Sequence, residues 1–161
     1  MTVVSDTGPL IALAKANQLH LLEQLFVQVL IPPAVHREVL AKSGPEAARL
    51  DAALDRFVTI VRVPELPPEV KVITSRLGDG EKQAIALAFV RGSPLVIDDR
   101  LGRLAARHLH LSTTGTVGIL IRAKETALIP AVLPVLTEIR QQGYWLSDDL
   151  IAVAAALAGE A

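Results

Sequence analysis

The chain contains no cysteine, which excludes disulfides, thiolate metal sites and a cysteine nucleophile, and agrees with a reducing compartment. Charge of one sign is also missing: sixteen Lys and Arg stand against seventeen Asp and Glu. No global basic field therefore advertises nucleic-acid binding, and any such contact must come from a local patch. No Gly-rich phosphate loop or serine-nucleophile motif occurs. Hydrophobic residues make up 51% of the chain, with a mean hydropathy of +0.43, yet long apolar runs are absent. Ala84–Val90 and Ile151–Ala158 end at polar residues or glycine, and Ala127–Leu136 is broken by Pro130 and Pro134. A membrane-spanning helix needs about 20 nearly continuous apolar residues, so none is expected. Met1-Thr2-Val3-Val4-Ser5-Asp6 lacks the basic start and apolar stretch of a signal peptide, and a cytoplasmic location is expected.

What is present is apolar sequence in short pieces. At 161 residues the chain suits one domain with a sizeable core, without repeats or a long linker. Its apolar excess points to a sheet buried on both faces and to an interface, and a homodimer is expected. Short β-branched runs alternate with Ala/Leu-rich stretches, the pattern of a parallel sheet covered by helices. Strands are expected at Val3–Ser5, Val27–Ile31, Phe57–Val61, Leu95–Ile97 and Leu111–Thr113. Helices are expected at Pro9–Lys15, Leu19–Phe26, Pro33–Ala41, Glu46–Leu54, Gly80–Val90, Arg100–Leu109, Val117–Glu125, Ala131–Gln141 and Asp148–Leu157. Val63–Pro68 reads as a proline-rich connection, and Ser147 as the N-cap of the last helix.

Crossover helices run antiparallel to the strands, so strand C-termini and helix N-termini share one edge of the sheet, where such folds place their sites. Asp6 follows the first strand and Asp98-Asp99 the fourth; Glu81 lies in the first turn of its helix, and Glu38 further inside its own. Topology, not local spacing, brings these carboxylates together. Packed like charges disfavour one another's ionisation and call for a cation. Oxygen donors without thiolates favour Mg²⁺ or Mn²⁺ over Zn²⁺, and such an ion can activate water and neutralise charge on a phosphodiester. Plainer roles stand beside each residue. Asp6 and one of Asp98 and Asp99 suit N-caps, Asp79 reads as a cap rather than a ligand, Glu81 complements a helix dipole, and Glu38 suits a solvated helix face or an ion pair.

Five blocks carry a family resemblance: Val3-Val4-Ser5-Asp6-Thr7-Gly8-Pro9-Leu10-Ile11, Ile31-Pro32-Pro33-Ala34-Val35-His36-Arg37-Glu38-Val39, Leu77-Gly78-Asp79-Gly80-Glu81-Lys82-Gln83-Ala84-Ile85, Val96-Ile97-Asp98-Asp99-Arg100, and Thr113-Thr114-Gly115-Thr116-Val117-Gly118-Ile119-Leu120. In this order they resemble, over nearly the whole chain, the PIN domain, the nuclease fold of VapC-type toxins in bacterial and archaeal toxin–antitoxin pairs. The resemblance implies a Rossmann-like three-layer α/β/α fold with a mostly parallel sheet, and a Mg²⁺- or Mn²⁺-dependent endoribonuclease acting on single-stranded RNA. It also implies frequent dimers and a small antitoxin partner. Asp6 and Glu38 match the first two acidic positions, Glu81 stands where many members have Asp, and Asp99, with Asp98 beside it, matches the later aspartate. Asp6, Glu81, Asp98 and Asp99 are thus expected as metal ligands, and Asp6, Glu38, Glu81 and Asp99 as the catalytic set. The alternative is a non-catalytic PIN-like module that binds RNA or protein.

Thr7 and Thr114 suit a hold on water or phosphate as well as turn and cap roles. Arg100, Arg103 and Arg107 fall along one side of a helix and suit RNA phosphates or a solvated face. Asp6-Thr7-Gly8 spells the aspartic-protease triplet, but here it leads into a helix. His108 and His110 read as surface residues, Ser147-Asp148-Asp149 as capping, and Tyr144 and Trp145 as anchors of the C-terminal helix or an interface rather than as base-stacking groups.

Overall fold

The computed structural model describes residues 1–63 and 65–161; Pro64, inside the proline-rich connection, lies outside the described residues. Strand β1 (Thr2–Ser5) is followed by α1 (Thr7–Lys15), α2 (His20–Leu25), β2 (Gln28–Ile31), α3 (Pro33–Leu40), α4 (Pro45–Arg56) and β3 (Val58–Ile60). Then come α5 (Pro68–Ile73), α6 (Asp79–Arg91), β4 (Leu95–Val96), α7 (Arg100–His108) and β5 (Thr113–Thr114). Helices α8 (Thr116–Glu125), α9 (Leu133–Gln141) and α10 (Asp148–Leu157) complete the chain. None of the described helices is long and apolar enough to cross a membrane.

The five strands form one parallel sheet in the order β3-β2-β1-β4-β5. The crossovers to β2 and β3 step one way from the centre, whereas those to β4 and β5 step the other. Because such crossovers are right-handed, helices cover both faces of the sheet, and at the shared edge α3 also packs against α6. Helix α6 accordingly packs on β1 and β4 beside α7, while α1 packs against α4, α8 and α9. This is the expected three-layer α/β/α arrangement. Val3, Val4, Leu30, Ile31, Leu95 and Ile97 are all buried in the core, so the strands read as continuous apolar runs rather than alternating ones.

Two local differences from the sequence pattern have simple causes. Helix α5 falls where no element was expected: its β-branched residues Val70, Val72 and Ile73 disguise a single turn-and-a-half begun by Pro68 at a position suited to proline. Of these only Val70 is fully buried. The last strand moves from Leu111–Thr113 to Thr113–Thr114, because β5 pairs with only Leu95 and Val96. Strand order reverses at β1, whose register sets Val4 beside Leu95 and Ser5 beside Val96. The backbone N–H of Asp6 then donates to the Val96 carbonyl at 2.9 Å. The ends of β1 and β4 therefore form the crevice in which open parallel sheets bind ligands.

Candidate active site

Asp6 stands where β1 passes into α1, at the N-cap position of that helix, but its side chain makes no capping hydrogen bond. It is only 4% exposed, and its Oδ1 has no hydrogen-bond donor. Burial pushes its carboxyl up to about 7, the Thr7 backbone amide opposes this in part, and Glu81, Glu38 and Asp99 push it further in the same direction. Four carboxylates from four separate segments thus share one electrostatic neighbourhood, as the topology requires. Such a buried, unpartnered oxygen costs about 1–3 kcal/mol, a cost that a ligand can remove.

Glu38 reaches this edge from α3. Its Oε2 accepts a short hydrogen bond from the Thr7 hydroxyl, and its carboxylate lies over Gly80 at the start of α6. A Cβ on Gly80 would come within 2.5 Å of Glu38 Oε1, so a glycine there permits the close approach of α3 to α6. Glu81 folds back towards Gly78 at the same helix start. Asp79 does not cap: Gly78 holds the N-cap position, and Asp79 is the exposed first residue of α6.

Both aspartates after β4 are engaged. Asp98 accepts from the Thr116 backbone N–H at 2.7 Å and its hydroxyl at 2.6 Å, and from the Tyr144 hydroxyl at 2.7 Å. Asp99 caps α7, accepting from the Gly102 N–H at 2.7 Å through Oδ2. Asp98 is therefore held by protein donors at both oxygens, whereas Asp99 keeps Oδ1 outside its capping bond. Tyr144 is the participant that sequence reasoning placed elsewhere. Its hydroxyl also lies 2.9 Å from where a Cβ of Gly8 would be, over the start of α1. Burial, then the Asp98 charge, pushes its phenol well above the ordinary range, so it remains a neutral donor.

A cleft of about 820 Å³ joins these groups. Asp6, Thr7, Glu81, Asp98 and Asp99 line it, together with Arg100, Arg103 and Thr114; Glu38 stays behind Thr7. Arg103 has one guanidinium nitrogen tied to the Ile97 carbonyl at 3.1 Å, and the ion pairs among the described residues include none of Arg100, Arg103 and Arg107. The Thr114 hydroxyl lies against Gly118. Trp145, Leu150, Val153 and Leu157 also line the cleft. His108, the last residue of α7, and the left-handed His110 in the turn after it do not line this cleft.

The family model for PIN domains designated DUF3368 matches residues 2–160. The chain belongs to the PIN-domain family. PIN domains are typically nucleases and generally use divalent metals. Among solved structures, this PIN domain is similar to a PilT N-terminus domain protein of the hyperthermophilic archaeon Sulfolobus solfataricus P2. The two share 20% identity at a TM-score of 0.54, over 78% of this chain and 95% of that one, a likeness of fold. No curated protein matches the chain.

Whether this PIN domain's residues suit a divalent cation can be judged from their chemistry. Among the described residues, no three His, Asp or Glu side chains are gathered tightly enough to hold a metal ion as they stand. The donor set nevertheless fits a hard cation: it is all oxygen, it is acidic, and Asp6 Oδ1 is buried with no partner.

Proposed function

We propose that this PIN domain is a Mg²⁺- or Mn²⁺-dependent endoribonuclease that hydrolyses single-stranded RNA, and that it is the toxin of a toxin–antitoxin pair. The observation that carries the nuclease reading is Asp6: a buried carboxylate with an unpartnered oxygen, opening on a cleft and surrounded by Glu81, Glu38 and Asp99. Asp6, Glu81 and the free oxygen of Asp99 would hold the cation. A bound divalent ion there supplies water activation and neutralises charge on the phosphodiester. Glu38 takes the single proton of the Thr7 hydroxyl, which borders the cleft beside Asp6 and in that state would accept from a water rather than donate to a phosphate. Asp98 orients the N-terminus of α8 through Thr116 and holds Tyr144. This makes it a positioning residue rather than a fourth ligand. Arg100, with Arg103, offers positive charge to the phosphates of a strand crossing the edge.

The toxin role rests on the VapC-like sequence blocks. A small antitoxin that inserts Arg or Lys into the acidic edge would replace the cation's charge and exclude metal and RNA together. A homodimer fits the exposed apolar side chains, Val27 and Val72 among them. Light scattering that reports only monomer counts against the dimer, and failure of the neighbouring encoded protein to bind counts against the toxin role.

The second reading, a non-catalytic binding module, is favoured by the engagement of Asp98 and Asp99 in protein hydrogen bonds and by the lack of a ready-made three-ligand group. A cleavage assay separates the two. Purified protein with an end-labelled single-stranded RNA should give products with Mn²⁺ or Mg²⁺ and none with EDTA or in Asp6→Asn. Intact RNA under all conditions selects the binding module.

A further inference from the structure

Besides the acidic groups, the cleft is lined by exposed apolar side chains that the proposed metal site does not use. Trp145 is 83% exposed, an unusual state for the largest apolar side chain. It does not sit on a loose tail. The residue before it, Tyr144, is tied through its hydroxyl to Asp98 at 2.7 Å, and the residue after it, Leu146, is buried in the core. Trp145 thus lines the cleft from a segment anchored at both neighbours. Leu150, Val153 and Leu157 of α10 are exposed along the same cleft. Arg100 and Arg103 line the cleft as well.

We propose that Trp145 is a nucleobase-stacking subsite, on which a base of a single-stranded nucleic acid rests while its backbone passes Arg100 and the acidic edge. The proposal rests on the nuclease reading for its substrate class. The combination of an exposed indole, cationic side chains and carboxylates in one cleft fits a nucleic-acid strand better than an apolar peptide. A strand carries flat π-faces and anionic phosphates in alternation, and aromatic platforms with neighbouring positive charge are how single strands are held. The wall offers apolar side chains rather than hydrogen-bonding groups to a base edge, so binding there is tolerant of base identity and reads the presence of a base. The Tyr144–Asp98 hydrogen bond ties the segment that carries Trp145 to the acidic edge.

Trp145 is the only tryptophan in the chain, which makes the test direct. Protein held in EDTA, so that no strand is cut, is titrated with a single-stranded oligoribonucleotide and with the same backbone carrying abasic positions. The expected result is saturable quenching of tryptophan emission by the base-bearing strand, absent with the abasic one. In cleavage assays with Mn²⁺, Trp145→Ala should raise KM by at least about 5-fold, the scale of one stacked base, with kcat little changed, and Trp145→Phe should restore most of it. Quenching by both strands alike, or an unchanged KM in Trp145→Ala, overturns the subsite even where the wild type cleaves RNA. Lack of any cleavage by the wild type overturns the nuclease reading instead, and the quenching comparison still decides the subsite. If Trp145→Ala turns a dimer into a monomer without altering oligonucleotide affinity, the wall belongs to a second copy and the proposal fails.

Discussion

The Tyr144 hydroxyl donates to Asp98 Oδ2 at 2.7 Å, joining the segment between α9 and α10 to the strand end beside the acidic edge, across 46 positions of sequence. Removing that hydroxyl leaves Asp98 with only its two bonds from Thr116. Tyr144→Phe is expected to lower stability by about 1–2 kcal/mol, read as a lower denaturation midpoint with an unchanged slope. It is also expected to reduce RNA cleavage more than Trp145→Phe does, because it loosens the carboxylate that orients α8. Wild-type stability in Tyr144→Phe would mean that the bond is not maintained in solution.

Asp6→Asn should make the metal-free protein more stable, by about 1–3 kcal/mol, while removing metal-dependent activity. The change takes away a carboxylate whose burial and acidic neighbours disfavour its charge, and an amide at the same place can donate to those neighbours. Chemical denaturation in EDTA measures this. A destabilised Asp6→Asn would show that the carboxylate is satisfied in a way the geometry does not contain.

Gly80→Ala separates site from scaffold. The new methyl meets the tip of Glu38, a flexible side chain, at 2.5 Å, so Glu38 must swing away and release the Thr7 hydroxyl. Alanine also favours the helix by up to about 1 kcal/mol. Stability is expected to stay within about 1 kcal/mol of wild type, and cleavage to fall several-fold. Equal activity in Gly80→Ala would remove the Thr7–Glu38 bond from the working site.

The C-terminal residues supply a pH-dependent clasp. Glu160 accepts from the backbone N–H groups of Val132 and Leu133 at 2.8 and 2.9 Å, and from Lys124 at 2.9 Å. The two backbone donors and then Lys124 hold its carboxyl down to about 2, against 4.5 for an ordinary one. Because the folded value is depressed, its stabilising effect is complete above 4.5 and is lost as pH falls from there towards 2. Glu160→Gln should therefore be less stable than wild type at pH 7, with the difference shrinking below pH 4.5. A constant difference across that range would count against the carboxylate as the cause.

The sequence placed Asp6 and the pair Asp98-Asp99 at the sheet edge because strand ends followed by acidic residues are local patterns. The α/β/α layering was legible for the same reason, since short β-branched runs alternate with helical ones. Three features were not. Which of Asp98 and Asp99 is held at both oxygens depends on Thr116 and Tyr144, 18 and 46 residues from Asp98. Glu38 turns to Thr7 because Gly80, on a different helix, leaves room for it. Trp145 reads from the sequence as an anchor of the C-terminal helix or an interface, yet Tyr144 and Leu146 do the anchoring within the chain and the indole is exposed along the cleft.

If Asp6 is the pivot of a divalent-metal site, anomalous diffraction from crystals soaked in Mn²⁺ will show the ion. A manganese peak is expected in contact with Asp6 Oδ1 and with at least one of Glu81 and Asp99, lost in Asp6→Asn crystals treated alike. A wild-type map with Asp6 Oδ1 bare, or with manganese bound only away from this edge, would contradict it.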